Sequence, residues 1–335
     1  MATSRYNLDG TYIHPQVEPR AGFWLRCPVP HTIRLRALVN ALGSQIKPFP
    51  AASEPGELAE LQQLYTDRNN PVPGLSRLLS DPIFFNPPPA GAAVTVPVQN
   101  GKQLAQLFKA ETPGLWHRHV LNVLLPKTDW SPPRQALVWA SLDVAIHSAL
   151  AAAWHFKWVA ADGISFRHRP YEYARDHGIP FTVLFDSLPP PAPDLTESPG
   201  TPRHPAYPSG HSTYSAAASR VLGCLFKGYQ DPRPELAGID WEAQFGLLAD
   251  NIGLARLYGG VHWRSDHSFG QTVGHAVGDL IIEQLNRSGI QAQMERLTHP
   301  PKVADLRDQA DEFERRCGEN DEHFCGKFGA PPPQH

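Results

Sequence analysis

Apolar positions recur at three- and four-residue spacing along most of this chain, and strict alternation at every second position is rare. Over the first hundred residues the helical pattern is short and broken by proline. His31 to Ile46 and Glu57 to Tyr65 carry it, and Asn86-Pro-Pro-Pro-Ala-Gly interrupts it. From Gly101 the pattern strengthens through Gln103 to Phe108 and Leu115 to Leu125. A long run then opens at Ser131-Pro-Pro and continues to about Ala160, with Pro132 and Pro133 suited to a first turn. A second proline-rich loop, Leu188 to Pro208, ends in Pro-Ser-Gly-His, and Ser212 to Phe226 follows, rich in alanine at helical spacing. Trp241 to Tyr258 and Asp266 to Leu285 predict two more helices, parted by Gly259-Gly260 and Val261-His-Trp-Arg. Val303 to Cys317 predicts a charged surface helix before a frayed tail. Strand signals are few and no internal repeat is present. The pattern therefore predicts an all-α fold: an irregular proline-rich N-terminal arm (1–100) packed on a helical core domain (101–290), then a C-terminal helix and tail (291–335).

Composition narrows the picture. Of 335 residues, 41% are hydrophobic and 19% charged, which supports a sizeable core and excludes global disorder. A net charge of −3 without a long Lys/Arg run excludes nucleic acid as a partner. The most apolar window, Ala136 to Trp154, carries Asp143 and His147 in its interior, so it predicts a buried helix and not a membrane span. No apolar run preceded by basic residues opens the chain, which sets a cytoplasmic location as the expectation. The four cysteines lack Cys-x-x-Cys spacing, so reduced thiols are expected, with a Cys317 to Cys325 bridge left open.

Two clusters carry chemistry. In Pro208-Ser209-Gly210-His211, Gly210 allows close backbone approach, Ser209 offers a hydroxyl, and the amides of the following helix start face an anion with partial positive charge. In the second, Arg256 brings a planar fork of donors and His262 can present a ring nitrogen. Asp266, one helical turn on, can accept the other ring N–H and fix the tautomer. Together they describe a cradle for a tetrahedral oxyanion. The bland alternatives are a capped turn at Ser209 or Ser212, a surface ion pair of Arg256 with Asp266, and core packing for Trp154, Phe156 and Trp158.

These clusters resemble the second and third signature motifs shared by vanadium haloperoxidases and type 2 phosphatidic acid phosphatases, and Ala206-Tyr-Pro-Ser-Gly-His-Ser is similar to the haloperoxidase form. The resemblance covers roughly Ala136 to Leu285 and implies a helical bundle of the vanadium haloperoxidase and acid phosphatase type. The family's first motif, a lysine, six residues, then Arg-Pro, corresponds to Lys157 and Arg169-Pro170. Here eleven residues separate them, so a loop such as Ala160-Ala-Asp-Gly must bulge, and Arg167 competes for the arginine role.

Carried over, the resemblance implies vanadate as cofactor, a site that phosphate can also occupy, with His262 as the vanadium ligand or as a phosphatase nucleophile. It implies His211 as acid/base and Asp266 as the group orienting His262. Lys157, Arg169, Ser209, the Gly210 amide and Arg256 would hold the anion's oxygens, Lys157 also activating bound peroxide. The leading expectation is a vanadate-dependent haloperoxidase using hydrogen peroxide, halide and a small organic substrate, with a homo-oligomer a possible assembly. The alternatives are a soluble acid phosphatase working through a phosphohistidine and a non-catalytic oxyanion-binding protein. His204 stands where the resembling family has histidine in algal bromoperoxidases and phenylalanine in fungal chloroperoxidases, which implies preference for bromide and iodide.

Overall fold

The computed structural model describes residues 35–46, 54–72, 98–109, 111–158, 168–181, 202, 204–232 and 234–288. Among the described residues there are nine α-helices and no strand. They are α1 (Leu35–Leu42), α2 (Glu54–Asn69), α3 (Gly101–Leu107), α4 (Leu115–Leu124), α5 (Pro132–Trp158), α6 (Pro170–Asp176), α7 (Gly210–Leu225), α8 (Trp241–Tyr258) and α9 (Arg264–Ser288). The all-α expectation holds. The periodicity located every one of these helices except α6, a seven-residue element after the Arg169-Pro170 step that is too short to show a repeat. The helix expected over Val303 to Cys317, the bulge after Ala160, Arg167, and Cys27, Cys317 and Cys325 lie outside the described residues. Cys224 is a free, half-buried thiol.

The Ala-rich α7 is the centre of the bundle, packed against α9, α8 and α5. It is buried nearly all round, as a helix apolar on every side must be. Small residues set how closely its neighbours approach. On α9, Gly270, Gly274 and Gly278 repeat at i+4 and face α7. A Cβ on Gly274 would lie 2.3 Å from the Thr213 carbonyl oxygen, and one on Gly270 would lie 2.8 Å from that of Ser209. Local capping fixes the ends: Asp240 Oδ1 accepts from the Ala243 amide at 3.2 Å to start α8, and Asn100 Oδ1 accepts from Gln103 at 3.0 Å to start α3.

The described part of the arm is pinned beside the α8–α9 corner. α1 packs on α9, and α2 on α3 and α8. From α2, Arg68 Nε donates to the Tyr258 carbonyl at 2.8 Å while its guanidinium lies 3.7 Å from the centroid of the Phe181 ring, and Glu60 accepts from the Arg264 amide at 2.6 Å. Among the described residues one helix, α5, is long and apolar enough to cross a membrane by length and composition. Half of its apolar window is buried against the bundle, and Asp143 and His147 sit on its exposed face, where Asp143 pairs with Arg118.

Candidate functional site

The start of α7 differs from the expectation by two residues. The helix begins at Gly210, and Ser209 is its N-cap, with Oγ accepting from the Ser212 amide at 3.3 Å. Gly210 and His211 are thus the first two helical residues, whose amides precede the first intrahelical bond, Thr213 N–H to the Ser209 carbonyl at 3.0 Å. The capped-turn alternative and the anion-cradle reading describe the same residues, since a capped helix start is where free amides gather. The Ser209 amide donates to the Asp266 carbonyl at 2.9 Å, which ties the start of α7 to the start of α9.

The second cluster forms where α8 ends. Gly260, at φ 84°, takes the left-handed conformation that lets the chain leave α8 and turn back toward α9. His262 follows, and its Nδ1 lies 3.1 Å from Asp266 Oδ2, which also accepts from the Trp263 amide at 2.9 Å. Both residues are buried. A carboxylate only accepts, so Nδ1 carries the proton and Nε2 keeps a lone pair. Burial holds the His262 pKa well below its usual value, and the cationic Arg169, Lys157 and Arg256 add to the shift. The ring is neutral at pH 7 and its Nε2 is available as a ligand or nucleophile.

A cavity of about 130 Å³ lies in front of these groups, lined by residues that include His204, Gly210, His211, Arg256 and His262. His211 is only partly buried, and its Nε2 lies 3.2 Å from the Glu111 carbonyl. A carbonyl only accepts, so Nε2 bears the hydrogen and Nδ1 is the position that can take a proton. Burial, then Arg256, presses the His211 pKa well below its usual value. Lys157, Arg169 and Arg256 are all buried around this point. Lys157 Nζ donates to the carbonyls of Pro205 (2.6 Å), Ala206 (3.1 Å) and Pro208. Arg169 donates to the carbonyls of Val261 at 2.5 Å and His204 at 2.7 Å, and Arg256 to that of Phe108. The Arg169 Nε is buried with no hydrogen-bond partner among the described residues. Burial lowers all three pKa values, and for Lys157 the nearby Arg169 adds to the effect while Asp266 opposes it.

His204, Gly210, His211, Arg256 and His262 line the cavity, while Lys157, Arg169, Ser209 and Asp266 do not line it and connect to that wall through hydrogen bonds, and neither Arg256 nor Asp266 is a surface residue. The two ends of the long first-motif interval, Lys157 at the end of α5 and Arg169 capping α6, meet close enough for one charge to act on the other. The core-packing expectation for Trp154 needs correction: it is half-buried, lines the cavity and lies 4.7 Å, centroid to centroid, from the His204 ring. Two site residues carry no local motif. Tyr214 lines the cavity and donates to Glu111 Oε1 at 2.9 Å, and burial raises the Glu111 carboxyl to about 7. Tyr214 sits one turn after Gly210, a spacing that could have marked it. Glu111 gives no sequence signal.

Residues 186–289, which carry both clusters, match the family model for the VCPO second helical-bundle domain. Over those residues the chain is similar to the vanadium haloperoxidase superfamily. Within that superfamily it is 27% identical to the vanadium chloroperoxidase of Curvularia inaequalis over 177 residues, covering 39% of this chain and 28% of the relative. It is 33% identical to a vanadium-dependent bromoperoxidase of Ascophyllum nodosum over 102 residues, covering 25% of this chain and 18% of the relative. The chain thus spans well under a third of either curated relative. Among solved structures it is similar to a bacterial vanadium-dependent iodoperoxidase (22% identity, TM-score 0.46, covering 73% of this chain and 53% of that one). A homohexameric bromoperoxidase of Ascophyllum nodosum is also similar (18% identity, TM-score 0.41, 63% and 49%).

The donor set fits a tetrahedral oxyanion. It offers a neutral imidazole with a bare Nε2, three buried cations, one of which has a buried N–H without an acceptor, and a capped helix start at the same cavity.

Proposed function

We propose that this chain is a vanadate-dependent haloperoxidase that oxidises halide with hydrogen peroxide to hypohalous acid. The observation that carries the reading is His262, held by Asp266 through Nδ1, at a small cavity that Arg256 lines and with the buried Lys157 and Arg169 charges acting on its ring. His262 would bind the vanadium; Arg169, Arg256, Ser209 and the Gly210 amide would hold the oxygens, while Lys157, whose three N–H groups are taken by the Pro205, Ala206 and Pro208 carbonyls, would act through its charge and not as an oxygen-holding donor. Vanadate, when bound, supplies a Lewis acid that polarises peroxide without changing oxidation state.

The protein's own share is electrostatic and protonic. Each cation about 4 Å from an anion oxygen contributes up to roughly 4 kcal/mol at an effective dielectric near 20, so three offset much of the cost of holding a multiply charged anion. With its three donors on loop carbonyls, Lys157 serves the site through its charge. Arg169 keeps an N–H to give. His211, neutral and with Nδ1 open, takes a proton from peroxide and can return it to a leaving oxygen. Trp154 and His204, packed against each other in a tilted pair on the cavity wall, form the face at which halide and organic substrate arrive. The histidine there supports a preference for bromide and iodide over chloride, because an imidazole keeps that wall more polar than a phenyl ring does.

The same cradle would accept phosphate, with His262 Nε2 as nucleophile, so a phosphatase is the competing activity. The deciding experiment loads the purified chain with orthovanadate and measures peroxide-dependent bromination beside hydrolysis of an aryl phosphate by the unloaded chain. Bromination is the expected result. Phosphate release without bromination rejects the proposal.

A further inference from the structure

The Ser209 hydroxyl has two donors behind it. The Ser212 amide lies 3.3 Å and the Ser212 hydroxyl 3.0 Å from Ser209 Oγ. Behind Ser212, Nδ1 of His267 on α9 lies 2.8 Å from Ser212 Oγ. A continuous row of polar atoms thus runs from a half-buried ring, through Ser212, to the hydroxyl at the start of α7. The third helix of the bundle leaves room for it. A Cβ on Gly253 of α8 would lie 2.3 Å from the His267 ring and 2.9 Å from Ser212 Oγ.

Each hydroxyl has one hydrogen, so the row can run in only two directions. With a proton on Nδ1, His267 donates to Ser212, Ser212 donates to Ser209, and the Ser209 hydrogen is left for an acceptor in front of it. With Nδ1 bare, Ser212 donates to the ring, Ser209 donates to Ser212, and Ser209 turns a lone pair forward, which repels an anion. Burial, with Arg264 adding and Asp266 opposing, brings the His267 pKa to about 4. Above that pH the ring is neutral and carries one proton, so the direction of the row is a choice of tautomer.

We propose that His267 is a positioning residue whose Nδ1–H, relayed by the Ser212 hydroxyl, makes Ser209 a hydrogen-bond donor toward the bound oxyanion. This rests on the oxyanion-cradle reading of the site. His267 touches no reacting atom and no proton is transferred; the row sets polarity only. In the other direction, the anion stabilises the Nδ1–H tautomer, since its oxygens need the Ser209 hydrogen.

The test uses the full chain with ¹⁵N-labelled histidine and either inorganic phosphate or orthovanadate as the probe, the His267 signals being assigned by their absence in His267→Asn. In the anion-bound protein His267 should show a protonated Nδ1 and a bare Nε2. Calorimetry should show His267→Ala binding both anions about tenfold more weakly, the scale of one partly lost hydrogen bond to a charged group. His267→Asn, whose amide N–H falls near the lost Nδ1–H, should recover to within about threefold of the unmodified protein. In Ser212→Ala, where Ser209 has no neighbouring hydroxyl to donate to, adding His267→Ala should change affinity by less than about twofold. A bare Nδ1 in the bound state, unmodified affinity in His267→Ala, or a full tenfold loss persisting without the Ser212 hydroxyl overturns the proposal. An unmodified protein that binds neither anion is a different result: it rejects the cradle reading itself, and this proposal with it.

Discussion

Replacing Gly274 by alanine should destabilise the bundle, although alanine is the better helix former by about 1 kcal/mol. The added Cβ would sit 2.3 Å from the Thr213 carbonyl oxygen, 2.7 Å from Ala216 Cβ and 3.1 Å from the Ala217 amide nitrogen. The first distance is roughly an ångström inside the 3.4 Å where ordinary contact begins, and the atom in the way is backbone of a buried helix. No side chain can swing aside, so α9 must move off α7. Overpacking of this kind typically costs about 1–3 kcal/mol, and at this depth the upper half of that range should outweigh the gain in propensity. The expected net loss is about 1–2 kcal/mol, or a fall in Tm of roughly 1–3 °C. Gly246→Ala on α8 is the internal control. A Cβ there meets nothing within 4 Å, so the propensity gain stands alone and Tm should rise by roughly 1 °C. Thermal unfolding followed by circular dichroism at 222 nm measures both. Because the Ser209 amide is bonded to the Asp266 carbonyl across the same seam, Gly274→Ala should also weaken orthovanadate binding, while Gly246→Ala should not. A Gly274→Ala protein at least as stable as the parent would refute the argument that the glycine stripe sets the α7–α9 distance.

Three further outcomes follow from the site. On the proposed reading, His262→Ala removes the vanadium ligand and should abolish retention of orthovanadate through dialysis; stoichiometric retention would move the ligand elsewhere. His211→Ala should keep the anion and lower turnover by about 10²–10⁴-fold, checked by measuring binding and bromination on the same sample. For Glu111, burial raises the folded-state pKa to about 7, above its unfolded value near 4.5. The native carboxyl is therefore held neutral below that range, and stability is lost as pH climbs from about 4.5 to 7 and the folded state is forced to ionise it. Glu111→Gln should flatten that part of the Tm–pH curve, and an unchanged slope would remove Glu111 as its source.

The helices and the chemical heart of the site were legible in the sequence because both are local. The span of α8 and the cores of α5, α7 and α9 follow from apolar spacing, and His262 and Asp266 meet because residues at i and i+4 share a helical face. The cap at Ser209 is likewise a three-residue event, though its boundary moved because a cap and a helix start look alike in one dimension. Everything else depended on the bundle closing. Glu111 reaches Tyr214 and His211 across about a hundred residues, Lys157 reaches the Pro205–Pro208 carbonyls across nearly fifty, and His267 reaches Ser212 across fifty-five. Such pairs have no period and no motif. They exist because Gly253, Gly270 and Gly274 let α8 and α9 close on α7, and that close approach desolvates the charges and selects which nitrogen of each histidine carries the proton.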